Sequence, residues 1–354
     1  MQPLTARPAS AAAPLFASLV EFNLSLAAVL AGHAPGDVYV DDPADPRVGF
    51  AATSEGHYLA GDPEHAASYA GLRAVLPPDA YLIFDPPGWE VRLPDIGLDP
   101  AARRHARQHL RYQIQPGAAP TPVVPAGFEI VPVTPALLAR TDLRNLADVA
   151  DWVDTWRSRT DFFQRGFGFA AIQAGCLASY SLTDCVTGTK GEIGVRTDAA
   201  FRRRGLGRAV VAAAVAHAAA RGLTEVGWHC LSGNAGSLAV AEKIGFVRDR
   251  HYLAYSAYLP AENPGDLTPD EYAEWAAHYE RQPRDVLRCA FRAAEAWALA
   301  GDKTRALANL RRLLDGAWAG QPAWLTENWR LRGLRGEAEY EVLLARLRAS
   351  AAEA

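Results

Sequence analysis

The run Arg202-Arg203-Arg204-Gly205-Leu206-Gly207-Arg208-Ala209 stands between an extended segment at 192–197 and an alanine-rich helical segment that stops at Arg221-Gly222. Its glycines let the backbone turn tightly and approach a ligand with no Cβ in the way. The first N–H groups of the following helix have no intrahelical partner. Together with the helix dipole they form an anion site. Arg202, Arg203, Arg204 and Arg208 surround that site with positive charge, and a pyrophosphate fits it. A Walker loop would require Gly-Lys-Ser/Thr here, and a dinucleotide fingerprint would require a third glycine where Val210 stands. Taken alone, Arg-x-x-Gly-x-Gly does not choose a protein class. Its surroundings must.

The chain has 354 residues, of which 49% are hydrophobic and 21% charged. That is a soluble, globular composition, and the length predicts two or three domains. The net charge of −4 disfavours nucleic-acid binding through a generally basic surface. Only three basic residues are lysines (Lys190, Lys243 and Lys303), against 33 arginines. Arginine's planar fork suits phosphates. Most of the 33 read as compositional bias, but the four around the glycine loop do not. Cys176, Cys185, Cys230 and Cys289 form no CxxC pair, which argues against a structural zinc site or a disulfide framework. A reducing cytosol fits best, and a cytoplasmic location is expected.

The segment 15–31 is interrupted by Glu21 and Asn23, so it is too short and polar to span a bilayer and lacks the form of a signal peptide. No membrane partner is expected. Leu15, Leu19, Phe22, Leu26 and Leu30 recur at helical spacing and predict one amphipathic core helix. Residues 1–13 are expected to be disordered.

Pro/Gly/Ala-rich stretches at 116–127 and 260–265 read as linkers. They divide the chain into 14–115, 126–260 and 266–354. The first part carries strand-like runs at 38–40, 48–52, 58–60, 81–84 and 89–93, with a helix at 63–76. A basic helix is expected at 99–111, with His105 and His109 at i,i+4. That spacing can hold a metal, but no Glu follows His105. A solvated arginine-rich face is the plainer reading, and no metal is expected. In the last part, Thr268-Pro269-Asp270-Glu271 is a helix start with cap, N1 proline and N3 glutamate. Helices at 285–300 and 303–314, joined at Gly301-Asp302, resemble a tetratricopeptide-type unit. The competing reading is a helical cap over an apolar face of the middle part.

The middle part alternates strands and helices. A strand at 128–133, a helix at 143–157, a hairpin at 167–183, the strand at 192–197, the glycine loop and helix, a strand at 225–230, then Asn234-x-x-Ser237 and Glu242-Lys-x-Gly245-Phe246 follow in order. This set resembles the GNAT acyltransferase superfamily over the whole of 126–260. A closer likeness, to the zwittermicin-resistance type of GNAT protein, lies in Glu192-Ile-Gly-Val-Arg-Thr197, Arg221-Gly-Leu, Trp228-His229 and Ser237-x-x-x-Ala241-Glu-Lys-x-Gly-Phe246. Asp41-Asp42-Pro43, Gly56-His-Tyr-Leu-Ala-Gly-Asp-Pro63 and Gly88-Trp-Glu90 are similar to the N-terminal half of that group. The implied architecture is α/β (α+β): a GNAT fold with a mixed central sheet, preceded by a degenerate GNAT-like domain and followed by an all-α tail.

The resemblance implies acetyl-CoA as cosubstrate. Arg202 to Ala209 would hold its pyrophosphate. The strand bearing Val195, Arg196 and Thr197 would splay from the strand at 225–230 and hold the pantetheine arm. Asn234 and Ser237 would line the channel. An amine attacks the thioester directly, so proximity supplies much of the rate, and a backbone N–H near Val195 to Thr197 stabilises the oxyanion. Many relatives carry a tyrosine acid seven residues after the channel asparagine. Here that position is Ala241. Tyr252 and Tyr255 are substitutes, or plain core residues. Glu192 is the first candidate base, on one strand face with Gly194 and Arg196, or else it is salt-bridged to an arginine. His229 is the second, or else a hydrogen-bonded core histidine. Cys230 reads as packing. Asp148, Asp151 and Asp154, with Trp152 and Trp156, suit a cationic acceptor or an ordinary exposed helix face.

Three functions compete. The first is an N-acetyltransferase acting on an amine of a small molecule or peptide. The second is a catalytically impaired CoA-binding sensor or interaction protein using the helical tail. The third is a scaffold, with the tail binding a protein partner or packing within the chain.

Overall fold

The computed structural model describes 1–354 apart from 5–8, 10, 78–79, 99–102, 257–260, 262–264, 283–285, 317, 319–321, 327 and 354. Two compact units emerge, 1–256 and 257–354.

The first unit is built on one twelve-stranded mixed sheet. Its strands are β1 (Gln2–Pro3), β2 (Asp37–Val40), β3 (Val48–Ala52), β4 (His57–Gly61), β5 (Tyr81–Asp85), β6 (Arg103–Gln113), β7 (Glu129–Pro132), β8 (Gly168–Gln173), β9 (Cys176–Thr187), β10 (Lys190–Thr197), β11 (Glu225–Leu231) and β12 (Val247–Ser256). They run in the order β1-β2-β3-β4-β5-β12-β6-β11-β10-β9-β8-β7. Only two neighbouring pairs, β4 with β5 and β10 with β11, are parallel. Each pair is joined by a helix, because parallel neighbours need a crossover. The helices of this unit are α1 (Ala17–Val20), α2 (Leu24–Leu30), α3 (Tyr69–Val75), α4 (Pro135–Leu138), α5 (Ala147–Val153), α6 (Arg159–Arg165), α7 (Leu206–Ala220) and α8 (Ala235–Ile244). The crossovers are α3 and α7.

Four expectations are corrected. The residues from Arg103 onward are strand β6, not a basic helix, while 99–102 lie outside the described residues. Ala106, Gln108, Leu110, Tyr112 and Ile114 alternate onto one face, and Leu110 is fully buried there. Period two therefore won over the i,i+4 histidine spacing. On a strand, His105 and His109 stand roughly 13 Å apart; His105 bonds Ser256 instead, at 2.7 Å. Second, the expected strand at 89–93 is occupied by the 3₁₀ turn Pro87–Arg92. Third, the single helix at 15–31 is two, α1 and α2, parted where Asn23 Nδ2 donates to the Leu19 carbonyl at 2.8 Å. Fourth, within the stretch expected to be disordered, Gln2 and Pro3 pair with Val40 and Tyr39.

Strand β6 lies before the linker at 116–127, yet it sits between β12 and β11. Hydrogen bonding thus crosses the sequence boundary between the first and middle parts. Helix α7 packs on one sheet face through Val211, Ala214, Val215 and Ala218, against Leu110, Ile193, Val226 and Trp228. Burying each such valine contributes about 1.5–3 kcal/mol. The opposite face near β9 carries α5 and α6 through Val149, Val153, Trp156 and Phe162.

The second unit is helical: α9 (Pro269–Glu280), α10 (Leu287–Ala300), α11 (Lys303–Asp315), α12 (Pro322–Thr326) and α13 (Ala338–Glu353). The reciprocal Thr268–Glu271 capping box opens α9 as expected. Gly301, at φ +87°, turns α10 into α11. The unit has a core of its own, with Tyr279, Ala290, Ala294, Leu310 and Leu313 among its fully buried members.

Among the described residues, no helix is long and apolar enough to cross a membrane.

Candidate active site

Strands β10 and β11 pair only at Lys190–Glu225, Gly191–Val226 and Glu192–Gly227. Beyond Glu192, β10 continues along β9 as far as Thr197, while β11 continues along β6 as far as Leu231. The two strands therefore part, and Ile193 to Thr197 face an opening rather than a ladder partner on that side.

Two faces of this opening differ in chemistry. On the α7 face, Gly205 is the N-cap of α7 at φ +82°, a conformation that glycine adopts at no steric cost. A Cβ on Gly207 would lie 3.4 Å from Thr197 Oγ1, 3.7 Å from Val240 and 3.8 Å from Val195. The loop, the end of β10 and α8 thus converge. Arg202, Arg203, Arg204 and Arg208 are all exposed, and among the described residues none makes an ion pair. Arg202 Nε and Arg204 Nη2 reach only backbone carbonyls, of Thr197 and Ala200 at 3.4 Å each. Leu206 and Ala209 are buried and anchor the helix start. Asn234 caps α8 by accepting from the Ser237 N–H at 3.0 Å, and Ser237 Oγ accepts from the Trp228 indole at 3.0 Å. Both polar side chains are thereby held at the mouth of the opening. Thr197 Oγ1 lies 2.8 Å from Ser179 Oγ, and the Arg196 guanidinium pairs with Asp148 at 3.0 Å on the other face.

That other face holds the titratable groups. The side chains of Glu192 and His229 are almost wholly buried, with Glu192 Oε1 3.2 Å from His229 Nε2. The contact is close, but Nε2 is not aligned in a hydrogen bond. His229 Nδ1 lies 2.9 Å from the Tyr252 hydroxyl, and Arg107 Nε donates to that hydroxyl at 3.3 Å. Arginine can only donate, so Tyr252 accepts from Arg107 while its hydroxyl also lies against the imidazole. Burial drives the His229 pKa well below the ordinary value, with the neighbouring His109 and Arg107 adding to it. Burial also raises Glu192 well above the carboxylate range, and the nearby Glu55 carboxyl adds to it. The Leu24 backbone N–H, at the start of α2, favours the Glu192 carboxylate in partial compensation. Glu192 Oε2 has no hydrogen-bond partner among the described residues. Burial raises Tyr252 as well.

Glu192, His229 and Tyr252 are thus brought together. No arginine forms a salt bridge with Glu192 among the described residues; His229 occupies that position. Tyr255 packs instead on Phe84, with ring centroids 4.8 Å apart. Cys230 is buried in the core against α7. Ala241, where the resemblance places the acid, is fully buried.

Sequence reasoning missed four groups here. His109, buried on β6, stacks on His229 at 4.5 Å and bonds Asp249 Oδ2 at 3.0 Å. Gly227 lies between them, a Cβ there falling 3.4 Å from His109 Nε2 and 3.8 Å from Glu192 Cγ. Asp249 is the extra residue of a β-bulge in β12. Asp184 is likewise the extra residue of a bulge in β9, opposite Glu192–Ile193. Bulges re-aim a side chain: Asp184 Oδ2 would lie 3.6 Å from a Cβ on Gly194, and burial with the charge of Glu55 raises its pKa. Glu55 comes from the β3–β4 turn. One signal was visible: Asp184 is a charged residue inside a strand-like run. Asp148 and Asp154, by contrast, are tied up by Arg196 and Arg159. Among the described residues, no group of three His, Cys, Asp or Glu could hold a metal ion.

This is the layout of an acyltransferase: a glycine loop at a helix start, a parallel pair that parts, and a buried carboxyl beside the gap. The chain belongs to the GNAT acetyltransferase family, whose model matches residues 13–255. It is 25% identical over 231 residues to the uncharacterized N-acetyltransferase YdfB of Bacillus subtilis (strain 168), covering 62% of this chain and 85% of that one. Its fold is similar to a GCN5-related N-acetyltransferase-like protein of Streptococcus suis 89/1591, with TM-score 0.55 and 21% identity over 70% of this chain and 98% of the other. The zwittermicin-resistance type and the tetratricopeptide kinship of the tail go beyond these likenesses.

Proposed function

We propose that the protein transfers an acetyl group from acetyl-CoA to an amine by direct attack in a ternary complex. The observation that carries this reading is the parting of β10 from β11 directly above Glu192, with the arginine-ringed loop on its α7 side. The pyrophosphate sits on the N–H groups of Leu206 to Ala209, with Arg202, Arg203, Arg204 and Arg208 around it. The pantetheine arm runs along Val195, Arg196 and Thr197, past Asn234 and Ser237. The unpaired arginines and a Gly207 with no side chain facing Thr197 and Val240 fit such a ligand.

The acceptor ammonium gives a proton to the Glu192 carboxylate. The amine nitrogen then attacks the thioester carbonyl, the C–N bond forms and the C–S bond breaks. A backbone N–H between Val195 and Thr197 stabilises the oxyanion. The CoA thiolate leaves and takes up a proton, with Tyr252, bonded to His229, as the candidate donor. His229, held by Tyr252, orients Glu192 and is the second candidate base.

The N-terminal part reads as a degenerate GNAT-like half. Its antiparallel β3–β4, crossover α3 and parallel β4–β5 repeat the order β9–β10, α7, β10–β11, but without Arg-x-x-Gly-x-Gly. The tail resembles a tetratricopeptide-type unit and offers a protein-binding or intramolecular role. The four cysteines, with no CxxC pair, support a cytoplasmic setting. Calorimetric titration with acetyl-CoA tests the reading, followed by release of free CoA across a panel of amines. The expected result is micromolar binding and turnover on at least one amine. Absence of acetyl-CoA binding overturns it. Tight binding with no turnover on any amine favours the sensor reading instead.

A further inference from the structure

An acceptor that arrives as an ammonium loses two protons before it is an amide. The first leaves when the lone pair is freed, the second after the C–N bond has formed. One of them ends on the CoA sulfur and the other in solvent. Glu192 holds only one proton at a time. Its side chain and that of His229 are almost wholly buried, so bulk water does not clear it between the two steps.

A second imidazole stands beside this pair. His109 on β6 is the direct cross-strand partner of His229 on β11, and the two rings stack with centroids 4.5 Å apart. His109 Nδ1 lies 3.0 Å from Asp249 Oδ2. Arg111 binds the other oxygen of Asp249. Although burial works against it, the bonds from His109 and Arg111 hold that carboxyl below its ordinary value. An ionised carboxylate only accepts, so Nδ1 carries the hydrogen and Nε2 keeps a lone pair. A Cβ on Gly227 would have that Nε2 at 3.4 Å and Glu192 Cγ at 3.8 Å as its nearest side-chain neighbours. Both groups therefore border one gap, and the glycine leaves it open.

Asp249 is what distinguishes the two histidines. A proton arriving on His109 meets a standing carboxylate, whereas His229 has the Tyr252 hydroxyl on its Nδ1. Burial keeps His109 neutral at rest, and Asp249 opposes that effect. The other charged or titratable groups near His109 are Arg111 on its own strand, Glu225 and His229 on β11, Glu192 on β10 and Arg250 on β12. Arg250 is drawn away to Glu21 at 2.8 Å. From the α1–α2 link His109 meets only the Phe22 ring, at 6.4 Å.

We propose that His109, held by Asp249, is a relay residue that takes the first proton from Glu192 and so frees Glu192 for the second. This rests on Glu192 as the base of the acetyl transfer. The ammonium gives its first proton to Glu192, which passes it to His109 Nε2. Asp249 stays ionised and stabilises the imidazolium, as a carboxylate does behind a catalytic histidine. The amine then attacks the thioester and the C–N bond forms. Glu192 takes the second proton from the nitrogen as the C–S bond breaks. That proton ends on the CoA sulfur. The first leaves His109 Nε2 for water once the products have gone and water fills the opening.

The test is acetyl transfer by the full chain at saturating acetyl-CoA, with spermidine, lysine, benzylamine and ethanolamine as acceptors, read as free CoA. His109→Ala should lower kcat about tenfold or more, with acetyl-CoA affinity, the check of folding, unchanged. Added imidazole should restore the rate, and its more basic methyl derivatives should restore it better. A proton carrier shows that dependence and a space-filler does not. Asp249→Asn should lower kcat in the same direction, and it decides if His109→Ala misfolds. A native kcat in either folded variant, no rescue, or rescue indifferent to basicity overturns the proposal. Glu192→Gln is measured alongside. A slow Glu192→Gln with a native His109→Ala defeats the relay alone. A native rate in Glu192→Gln, or transfer to none of the four amines, defeats the reading beneath it and the relay with it.

Discussion

Glu192 Oε1 lies 3.2 Å from His229 Nε2, on adjacent strands, one register step from where those strands part. The pair is set by backbone geometry: Glu192 is the last residue of β10 paired to β11, and His229 is the second residue of β11 beyond the pairing. Burial has moved the two groups' pKa values in opposite directions, the carboxyl up and the imidazole down, which is the pattern expected of the proposed acid–base pair.

The anion loop comes first in consequence. Replacing Gly207 with Val would push side-chain atoms into the space bounded by Thr197 and Val240. The dissociation constant for acetyl-CoA should rise about tenfold or more, a change of about 1.4 kcal/mol. Arg204→Glu should act in the same direction and become less harmful at high salt, because exposed charges are screened. Titration at two ionic strengths checks both.

Tyr252 links Arg107 to His229. Tyr252→Phe should lower kcat about tenfold or more and leave acetyl-CoA affinity unchanged. Steady-state kinetics with acetyl-CoA saturating measures this, and an unchanged kcat removes Tyr252 from the proposed machinery.

Glu192 also makes stability depend on pH. Burial raises its folded pKa above the ordinary value of 4.5. The folded state keeps a proton that the unfolded chain has already released. The stability from this group is therefore full below about pH 4.5 and is lost as pH rises through the raised folded value. Glu192→Gln should flatten the fall of melting temperature with rising pH above 4.5. An identical slope in the variant and the native chain contradicts the burial of an ionisable group there.

In the helical tail, Glu295 is buried and accepts from Arg292 at 2.8 Å and Asn328 at 2.7 Å, with Arg330 at 3.4 Å. Glu295→Ala strips all three of their partner. The two guanidiniums keep some contact with water, so the expected cost is about 1–3 kcal/mol, read by thermal unfolding of the full chain.

The CoA-binding half was legible because its signals are local. A glycine loop, an alanine-rich helix and a capped helix at Asn234 each announce themselves within a few residues. Strand β6 was not, since arginines at 103, 104, 107 and 111 and the histidine spacing hid the alternation of Gln108, Leu110 and Tyr112. Its partners, β11 and β12, lie more than a hundred residues away, so nothing local fixes it. Glu192 and His229 were identified as candidates because they sit on strands whose divergence followed from the resemblance. Asp184 was not. A strand aspartate looks ordinary until a bulge re-aims it.

The central claim is that Glu192, at the parting of β10 and β11, takes the acceptor's proton. The pH profile of kcat/KM for acetyl transfer, in the native chain and in Glu192→Gln, tests it most directly. The account predicts that native activity falls as pH drops through a value above the ordinary carboxylate range. It also predicts a loss of about a hundredfold to ten-thousandfold in the variant, with that acidic limb gone and acetyl-CoA affinity retained. A variant that keeps both its rate and the acidic limb contradicts it.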